Sequence, residues 1–353
     1  MTSTSITVKL IDYLKTSAPA LSLLRIRKLK PALFSKKSKS LHPAYPKNII
    51  IDPVNSCNLR CPLCPTGLRE LNYTPTVMTF DTFKLILKQI PSAKHVCLFN
   101  WGEPFLNPSI LEMITYASQK QVRVTIHTNF SLNKDERFFQ RILESDLDTL
   151  VISLDGCSAE SYSQYRIGGD FDLVLANLKK LTDLKQKYRR KKPLLIWQFI
   201  VNKFNEHEIN SAKKLARSLG VVFQTSLMGL SDDLPGFQFN HSIEERKEHW
   251  LPKIKKYRRC SYRGEYRLPL MNSICTQLFE TVVVNPDGKV FPCCWITDEK
   301  QAFGDLTQQS FKDIWYNEKY LSARGLFINH NHSVPAEKTI CTVCNNFRKV
   351  DEV

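Results

Sequence analysis

Long apolar runs are missing from this sequence. No uninterrupted stretch approaches the roughly 18 apolar residues that a transmembrane helix needs, and the chain is 42% hydrophobic and 24% charged. Residues 1–19 also lack the basic start, the compact apolar stretch and the small-residue cleavage site of a secretory signal. These absences favour an ordinary globular protein, and we expect it to be cytoplasmic with its thiols reduced.

Acidic residues are scarce relative to basic ones. The chain has 34 Asp and Glu residues against 50 Lys and Arg residues, which gives a net charge of +16 and a pI near 9.3. Much of the positive charge lies in residues 25–39, 185–193 and 253–260. A basic surface can contact nucleic acid, anionic lipid or a phosphorylated substrate. Because no pattern of an RNA- or DNA-binding module accompanies the charge, we do not expect nucleic acid to be a partner.

A repeated pattern of strands and helices occupies the middle of the 353-residue chain. Within residues 47–232, six short apolar runs alternate with amphipathic stretches, which predicts six strands of a parallel sheet with crossover helices. Six such units are too few for a closed eight-unit barrel. We therefore predict an α/β fold built on a partial (β/α)6 barrel.

Three further segments flank this barrel. Residues 1–46 form a basic, amphipathic extension that either packs on the barrel as two helices or makes peripheral membrane contact. Residues 233–270 are polar, contain one predicted helix and are expected to be a bridge. Residues 271–353 contain two predicted strands joined by an Asn-Pro-Asp-Gly turn, and we expect them to form a small α+β domain.

The eleven cysteines are unevenly distributed. Three lie within residues 57–64, five lie between residues 275 and 344, and Cys97, Cys157 and Cys260 stand apart. In a reducing compartment such clusters indicate metal binding rather than disulfides. Cys97 lies in a predicted strand and is expected to pack in the core, and we assign no role to the three isolated cysteines.

The first cysteine cluster has a spacing that suits an iron–sulfur centre. Cys57, Cys61 and Cys64 would each hold one iron of a [4Fe–4S] cluster through a thiolate. The fourth iron would have no protein ligand, so a small molecule can bind there.

Other conspicuous motifs also follow predicted strands. The cysteine triplet follows the first strand, Asn-Trp-Gly-Glu-Pro (100–104) the second, His-Thr-Asn (127–129) the third and Ser-Leu-Asp-Gly (153–156) the fourth. Because the carboxyl ends of parallel strands meet at one edge of a sheet, these motifs are expected to form a single active site.

Together, the triplet and its companions resemble the radical S-adenosylmethionine (SAM) superfamily. The resemblance implies that the unique iron chelates the amino and carboxylate groups of SAM. An electron from the cluster then cleaves the sulfonium, and the resulting 5′-deoxyadenosyl radical abstracts hydrogen from a substrate. The resemblance further implies a reducing partner such as flavodoxin or ferredoxin.

The same resemblance assigns residues that contact the cofactor. Residues 100–104 are similar to the family's Gly-Gly-Glu-Pro motif, which assigns Gly102 and Glu103 to the SAM amino group, with Trp101 in place of the first glycine. Ser153 and Arg166 correspond to the region that contacts the ribose and the carboxylate. Val201 would line the adenine pocket. Leu63, where many members carry an aromatic residue, would pack against adenine.

Each of these residues also has a purely structural interpretation. Glu103 would then cap a helix, Ser153 and Asp155 would stabilise a turn, and Arg166 would form an exposed ion pair. The joint occurrence of the motifs, in order at successive strand ends, favours the functional interpretation.

The C-terminal cysteines resemble the SPASM or twitch extension of one radical SAM branch. Cys275, Gly288 and Cys293 have the spacing of its hairpin, and Cys341 and Cys344 form its terminal pair. The resemblance implies one auxiliary iron–sulfur cluster, a [4Fe–4S] cluster as in relatives. A zinc site made of the same four thiolates is the alternative.

Cys294 directly follows a predicted ligand, at a place where sulfatase-maturing relatives carry an acidic base. A thiol there can return a hydrogen atom to a carbon radical, which would make the reaction an epimerisation. The alternatives are that Cys294 replaces Cys293 as a ligand, or that it is buried and inert.

The sequence thus predicts an enzyme that uses SAM and iron–sulfur clusters for epimerisation or dehydrogenation of a sugar-like or phosphorylated metabolite. A peptide-modifying maturase with the same cofactors is the alternative. From another class, the chain would be a non-catalytic cluster or zinc sensor that binds nucleic acid.

Overall fold

The computed structural model describes residues 40–230, 241–258, 275–328 and 337–344. The two helices predicted in the N-terminal extension, and with them its membrane contact, lie outside these residues. Among the described helices, none combines the length and the apolar character that crossing a membrane requires.

A single open sheet of nine strands forms the centre of the described structure. The strands are β1 (Asn48–Ile51), β2 (His95–Leu98), β3 (Arg123–Thr128), β4 (Thr149–Ser153), β5 (Leu194–Val201), β6 (Val222–Leu227), β7 (Thr281–Val284), β8 (Lys289–Phe291) and β9 (Gly304–Asp305). Their spatial order is β6-β5-β4-β3-β2-β1-β7-β8-β9. Strands β1 to β6 pair in parallel, which confirms the six-unit partial barrel.

The C-terminal hairpin extends this same sheet. Strand β7 pairs in parallel with β1, so that Ile49 lies opposite Val282. Strands β8 and β9 then add in antiparallel fashion. The predicted turn between β7 and β8 contains Gly288, whose φ of +88° lies in the left-handed region that favours glycine.

Helices connect the strands and cover one face of the sheet. The α-helices are α1 (Pro65–Leu68), α2 (Phe80–Gln89), α3 (Ile110–Gln119), α4 (Glu136–Glu144), α5 (Ala159–Tyr165), α6 (Phe171–Lys187), α7 (Ile209–Ser218), α8 (Ile243–Trp250), α9 (Gln277–Glu280), α10 (Phe311–Trp315) and α11 (Glu318–Ile328). Short 3₁₀ turns occur at Pro104–Leu106, Glu206–Glu208, Lys255–Tyr257, Glu299–Gln301 and Ile340–Val343.

Side-chain caps explain where several helices begin. Thr79 accepts a hydrogen bond from the Thr82 N–H at the start of α2, and Asp135 does the same for Phe138 at the start of α4. Such caps satisfy N–H groups that have no partner within the helix. They fix the direction in which the chain leaves each strand end, and so they shape the loops that carry the predicted site.

The two faces of the sheet differ because side chains alternate along each strand. On the outer face, Val124, Ile152 and Trp197 pack with the helices in the main core. On the inner face, Val151 and Ile196 form a small buried cluster. Gln198, between the outward-facing residues Trp197 and Phe199, therefore points to the inner face. The inner face and the carboxyl ends of the strands together form the cleft in which the predicted motifs lie.

Candidate functional site

The cysteine triplet lies on the loop that follows β1 and meets donors from several elements. The Cys57 Sγ is 3.5 Å from the Leu59 N–H and 3.6 Å from Asn129 Nδ2. The Cys61 Sγ is 3.9 Å from Nη1 of Arg166. N–H donors directed at sulfur stabilise a thiolate, so this loop suits soft-metal ligation.

Burial makes these thiols difficult to ionise on their own. It raises the pKa of Cys57 to about 12, and the nearby charges of Glu103, Cys61 and Cys64 add to the effect. Burial also raises the pKa of Cys61 to about 11, although Arg166 opposes the rise. A metal would supply the positive charge that three close thiolates need, so the donor set fits the iron–sulfur cluster that the sequence predicts.

Gly67 brings helix α1 close against the triplet. A Cβ at Gly67 would lie 2.5 Å from both the backbone N and the backbone O of Cys61. Only glycine permits this approach, because real Cβ atoms do not come that close to backbone atoms. The loop is thus held in its conformation by local packing.

The predicted Gly102 contact lies on an equally crowded loop. A Cβ at Gly102 would come within 1.6 Å of the Val54 carbonyl oxygen. The carboxylate of Asp52 accepts hydrogen bonds of 3.2 Å from the N–H groups of both Trp101 and Gly102. Asp52 is fully buried, and burial raises its pKa to about 7. Sequence reasoning missed Asp52, although an acidic residue directly after a buried strand was a signal for it.

Glu103 is buried and acts as a brace between strand ends. Its carboxylate accepts hydrogen bonds from the Thr128 hydroxyl and the Asn129 N–H, both at 2.7 Å, and from the Phe105 N–H at 3.1 Å. It therefore caps the Pro104–Leu106 turn, as its structural interpretation anticipates, and joins the ends of β2 and β3. Its predicted contact with a cofactor stays a prediction.

Arg166 and Asp155 form a buried ion pair at the end of β4. Arg166 Nε is 2.6 Å from Asp155 Oδ2, and the two side chains are 13% and 0% exposed. The other Asp155 oxygen accepts a 2.6 Å hydrogen bond from the Ile200 N–H. The expectation of an exposed pair is therefore wrong, because Arg166 turns inward toward Cys61. Burial alone would lower the pKa of Arg166, but the charges of Asp155 and Cys61 raise it well above its usual value.

The remaining predicted contacts lie on the β4 to β6 side of the cleft. Ser153 is half-buried at the end of β4, opposite Gln198 of β5, and Val201 is fully buried. Leu63 packs in a buried cluster with Tyr165 and Trp250. Trp250 comes from the predicted bridge, and sequence reasoning did not assign it to the site because only the folded chain brings α8 to the triplet.

The C-terminal cysteines come together from three separate segments. Burial raises the pKa of Cys275 to about 12, and the charges of Cys293 and Cys344 add to it. Burial also raises the pKa of Cys341 well above its usual value, with contributions from Cys275, Cys293 and Cys344. Cys275 and Cys341 thus each interact with the other C-terminal thiols, and a group of thiols of this kind is a suitable donor set for a second cluster.

The arrangement of possible metal ligands is relevant to the choice between a zinc ion and an iron–sulfur cluster at the C-terminal cysteines. Within residues 40–230, 241–258, 275–328 and 337–344, no three His, Cys, Asp or Glu side chains are arranged to hold a single metal ion. A mononuclear zinc site would need its thiolates at about 2.3 Å from one centre. A cluster separates its ligands more widely, because each sulfur binds a different iron.

Cys294 is buried beside the predicted ligand Cys293. It packs with Ile50 of β1, Cys97 of β2 and Val283 of β7, all on the inner face of the sheet. Cys97 is buried, as expected for core packing. Cys157 is half-buried away from this cluster, and Cys260 lies outside the described residues.

Trp101 links the two cysteine regions. Its indole Nε1 donates a 2.9 Å hydrogen bond to the Ile296 carbonyl, which also accepts a 2.7 Å bond from the Tyr73 hydroxyl. The Trp101 carbonyl in turn accepts a 2.8 Å bond from the Thr66 hydroxyl. The tryptophan that stands in place of a glycine thus ties the triplet loop to the segment that follows Cys293 and Cys294.

Two protein-family profiles match this chain, one over each of the two cysteine regions. A family profile described as "Radical SAM superfamily" matches residues 51–216. A second profile, SPASM, described as "Iron-sulfur cluster-binding domain", matches residues 275–345. The two profiles contain the triplet and the C-terminal cysteines, respectively.

Individual relatives have low sequence identity to this chain, but the matches cover most of its length. The AdoMet-dependent heme synthase of Methanosarcina barkeri is 24% identical over 302 residues, which cover 77% of this chain and 82% of the relative. The tungsten-containing aldehyde ferredoxin oxidoreductase cofactor-modifying protein of Pyrococcus furiosus is 24% identical over 324 residues, with coverage of 85% and 87%. The crystal structure of Streptococcus suis SuiB matches with a TM-score of 0.59 and 16% identity, covering 79% of this chain and 68% of that one. This last similarity supports the fold.

Proposed function

The chain belongs to the radical SAM superfamily and carries a SPASM iron–sulfur cluster-binding domain, and on that premise we propose that it abstracts hydrogen from a small molecule. The chemistry that its cofactors supply is the reductive cleavage of SAM to a 5′-deoxyadenosyl radical. Members of the superfamily are enzymes, and SAM and iron–sulfur clusters are the cofactors of this chain.

Cys57, Cys61 and Cys64 would hold the SAM-binding cluster, and Cys275, Cys293, Cys341 and Cys344 the auxiliary cluster. In domain terms the catalytic barrel spans 47–232, the bridge 233–270 and the auxiliary domain 271–353. The observation that carries the proposal is the buried Arg166 side chain between Asp155 and the Cys61 sulfur. A fixed cation at that point can bind a carboxylate that lies against the triplet.

The other strand-end groups would orient the cofactor. The Gly102 backbone is held by Asp52 and Val54, so its position does not depend on a ligand. Ser153, half-buried at the end of β4, offers a hydroxyl for the ribose. Leu63 would supply apolar surface for the base, and the backbone near Val201, whose side chain packs in the main core, would line the same pocket. Together these residues would exclude water from the reacting atoms.

Neutral polar side chains on the inner face favour a sugar-like substrate. Gln198 donates a 2.8 Å hydrogen bond to the Ser226 hydroxyl, and Gln224 lies opposite Gln198 on β6. The buried Gln224 amide has no hydrogen-bond partner among the described residues. Groups of this kind bind hydroxyl and amide groups of a substrate.

The two relatives found by sequence also favour a small molecule. Their names concern haem and the cofactor of a tungsten-containing oxidoreductase rather than a peptide. From the polar side chains of the inner face, we propose epimerisation or dehydrogenation of a sugar-like or phosphorylated metabolite as the reaction. A peptide substrate and a nucleic-acid-binding sensor are the competing outcomes of the experiments.

The first test of the proposed function is anaerobic reconstitution with iron and sulfide, followed by reduction in the presence of SAM. We expect 5′-deoxyadenosine to form, supported by a reducing partner such as flavodoxin or ferredoxin. A protein that forms none and keeps about one zinc per chain would be a sensor instead.

The role of Cys294 separates epimerisation from dehydrogenation. Its buried thiol on the inner face can return a hydrogen atom to a substrate radical. We expect Cys294→Ala to keep its iron and its SAM cleavage while product formation is lost. A fall in iron content would instead indicate that Cys294 is a ligand.

A further inference from the structure

Helix α8 covers a cavity beside the cysteine loop. This cavity has a volume of about 620 Å³ and is lined by Pro62 and Leu63 of the loop, by Leu68 of α1, by Lys203 and by Trp250 of α8, among others. The volume is within the range of pockets that bind small molecules. The cavity lies at the predicted adenine side of the site, because Leu63 lines it and Lys203 follows Val201 by two residues.

The indole of Trp250 is held firmly at this place. It is 6% exposed and makes edge-to-face contacts with Tyr165 at 5.4 Å and with Phe204 at 5.5 Å. The Trp250 carbonyl also accepts a 3.0 Å hydrogen bond from the Lys203 N–H, which ties α8 to the end of β5. Tyr165 in turn lies under the Arg166 guanidinium, 5.4 Å from its ring centre.

We propose that Trp250 is a SAM-binding residue that supplies the aromatic contact missing at position 63. Leucine has no π face on which a purine can stack, whereas an indole does. The bridge segment therefore has a function beyond connecting the barrel to the C-terminal domain, since its helix closes the adenine end of the site. This inference rests on the proposed function.

The test compares SAM affinity in matched variants. The reconstituted, unreduced holoenzyme is dialysed against radiolabelled SAM, so that the ligand stays intact. We expect Trp250→Leu to weaken binding about tenfold or more, which is the order of one base–aromatic stack. Trp250→Phe should stay within about threefold of the wild type, because the aromatic face is retained. Iron content should be unchanged in both.

A control variant and a second readout guard against a purely structural effect. Phe139→Leu removes a buried ring of α4 that packs on Phe138 and does not line the cavity, and it should leave SAM affinity unchanged. SAM should quench tryptophan fluorescence in the wild type, and Trp250→Phe should remove most of that quenching.

The outcomes separate this inference from the proposed function. Wild-type affinity in a folded, iron-loaded Trp250→Leu protein would overturn the inference and leave the proposed function standing. If SAM quenched the tryptophan fluorescence of Trp250→Phe as strongly as that of the wild type, the inference would also be overturned and the proposed function would stand. Failure of the wild type itself to bind SAM would overturn the proposed function.

Discussion

The two cysteine regions of this chain are assembled in different ways. The triplet comes from a single loop after β1, and its sulfurs meet donors from that loop, from the end of β3 and from Arg166. The C-terminal cysteines come from three segments that only the hairpin, α11 and the last turn bring together. A local motif keeps its geometry through its own loop, whereas a dispersed one depends on the tertiary fold. We therefore expect the first region to carry the chemistry and the second to couple metal binding to folding.

The largest effect is expected from Cys61→Ala. The SAM-binding cluster should be lost and 5′-deoxyadenosine formation should cease, while iron falls from about eight to about four per chain because each [4Fe–4S] cluster holds four irons. Iron analysis and product chromatography measure both. Cys157→Ser is the matched control, since Cys157 is half-buried and belongs to neither set of predicted ligands. Continued SAM cleavage in Cys61→Ala would contradict the expectation that the first cysteine region carries the chemistry.

The opposite pattern is expected from Cys341→Ala. Iron should fall by a similar amount, but SAM cleavage should persist, because the triplet does not depend on Cys341. Amide hydrogen exchange in residues 275–328 should become about tenfold faster, since metal binding there contributes to folding. Exchange in residues 80–230 should change little. Equal acceleration in both regions would contradict the assignment of a separate structural role.

A pH-dependent effect is expected from Asp52, which holds the Gly102 loop. Its folded pKa of about 7 lies above the ordinary value of 3.8 because of burial. The folded state therefore loses stability as the pH rises from about 4 to about 7, by at most about 4 kcal/mol. In Asp52→Asn this decrease should disappear from the free energy of unfolding, as measured by urea titration at several pH values. An unchanged pH dependence would show that Asp52 ionises normally.

The smallest effect is expected at the link between the two regions. Trp101→Phe removes one hydrogen bond to the Ile296 carbonyl but leaves the bond from Tyr73, so stability should fall by about 1 kcal/mol. The double variant with Tyr73→Phe leaves that buried carbonyl without either donor and should cost about 2 kcal/mol more. Urea unfolding measures both. Simple additivity of the two single variants would show that the donors act independently.

Local patterns in the sequence were sufficient to predict much of this arrangement. The six parallel strands follow from short apolar runs between amphipathic stretches. The turn with Gly288 follows from its residue types. The assignment of cysteines to clusters rests on spacing together with resemblance to a family.

Features that depend on distant parts of the chain could not be predicted. The parallel pairing of β7 with β1 joins residues far apart in sequence, and no local pattern sets that register. Trp250 reaches the site only because α8 docks on the end of β5. The inward turn of Arg166 depends on the buried Asp155, whose surroundings are set by β4 and β5.

The central claim is that the triplet leaves one iron open to SAM beside Arg166. The most direct measurement is electron paramagnetic resonance of the reduced Cys341→Ala protein, in which only the triplet cluster should remain. Addition of SAM labelled with ¹⁷O at its carboxylate, with freezing before the SAM is cleaved, should shift the signal and broaden it by hyperfine coupling. An identical spectrum with and without SAM would contradict the claim.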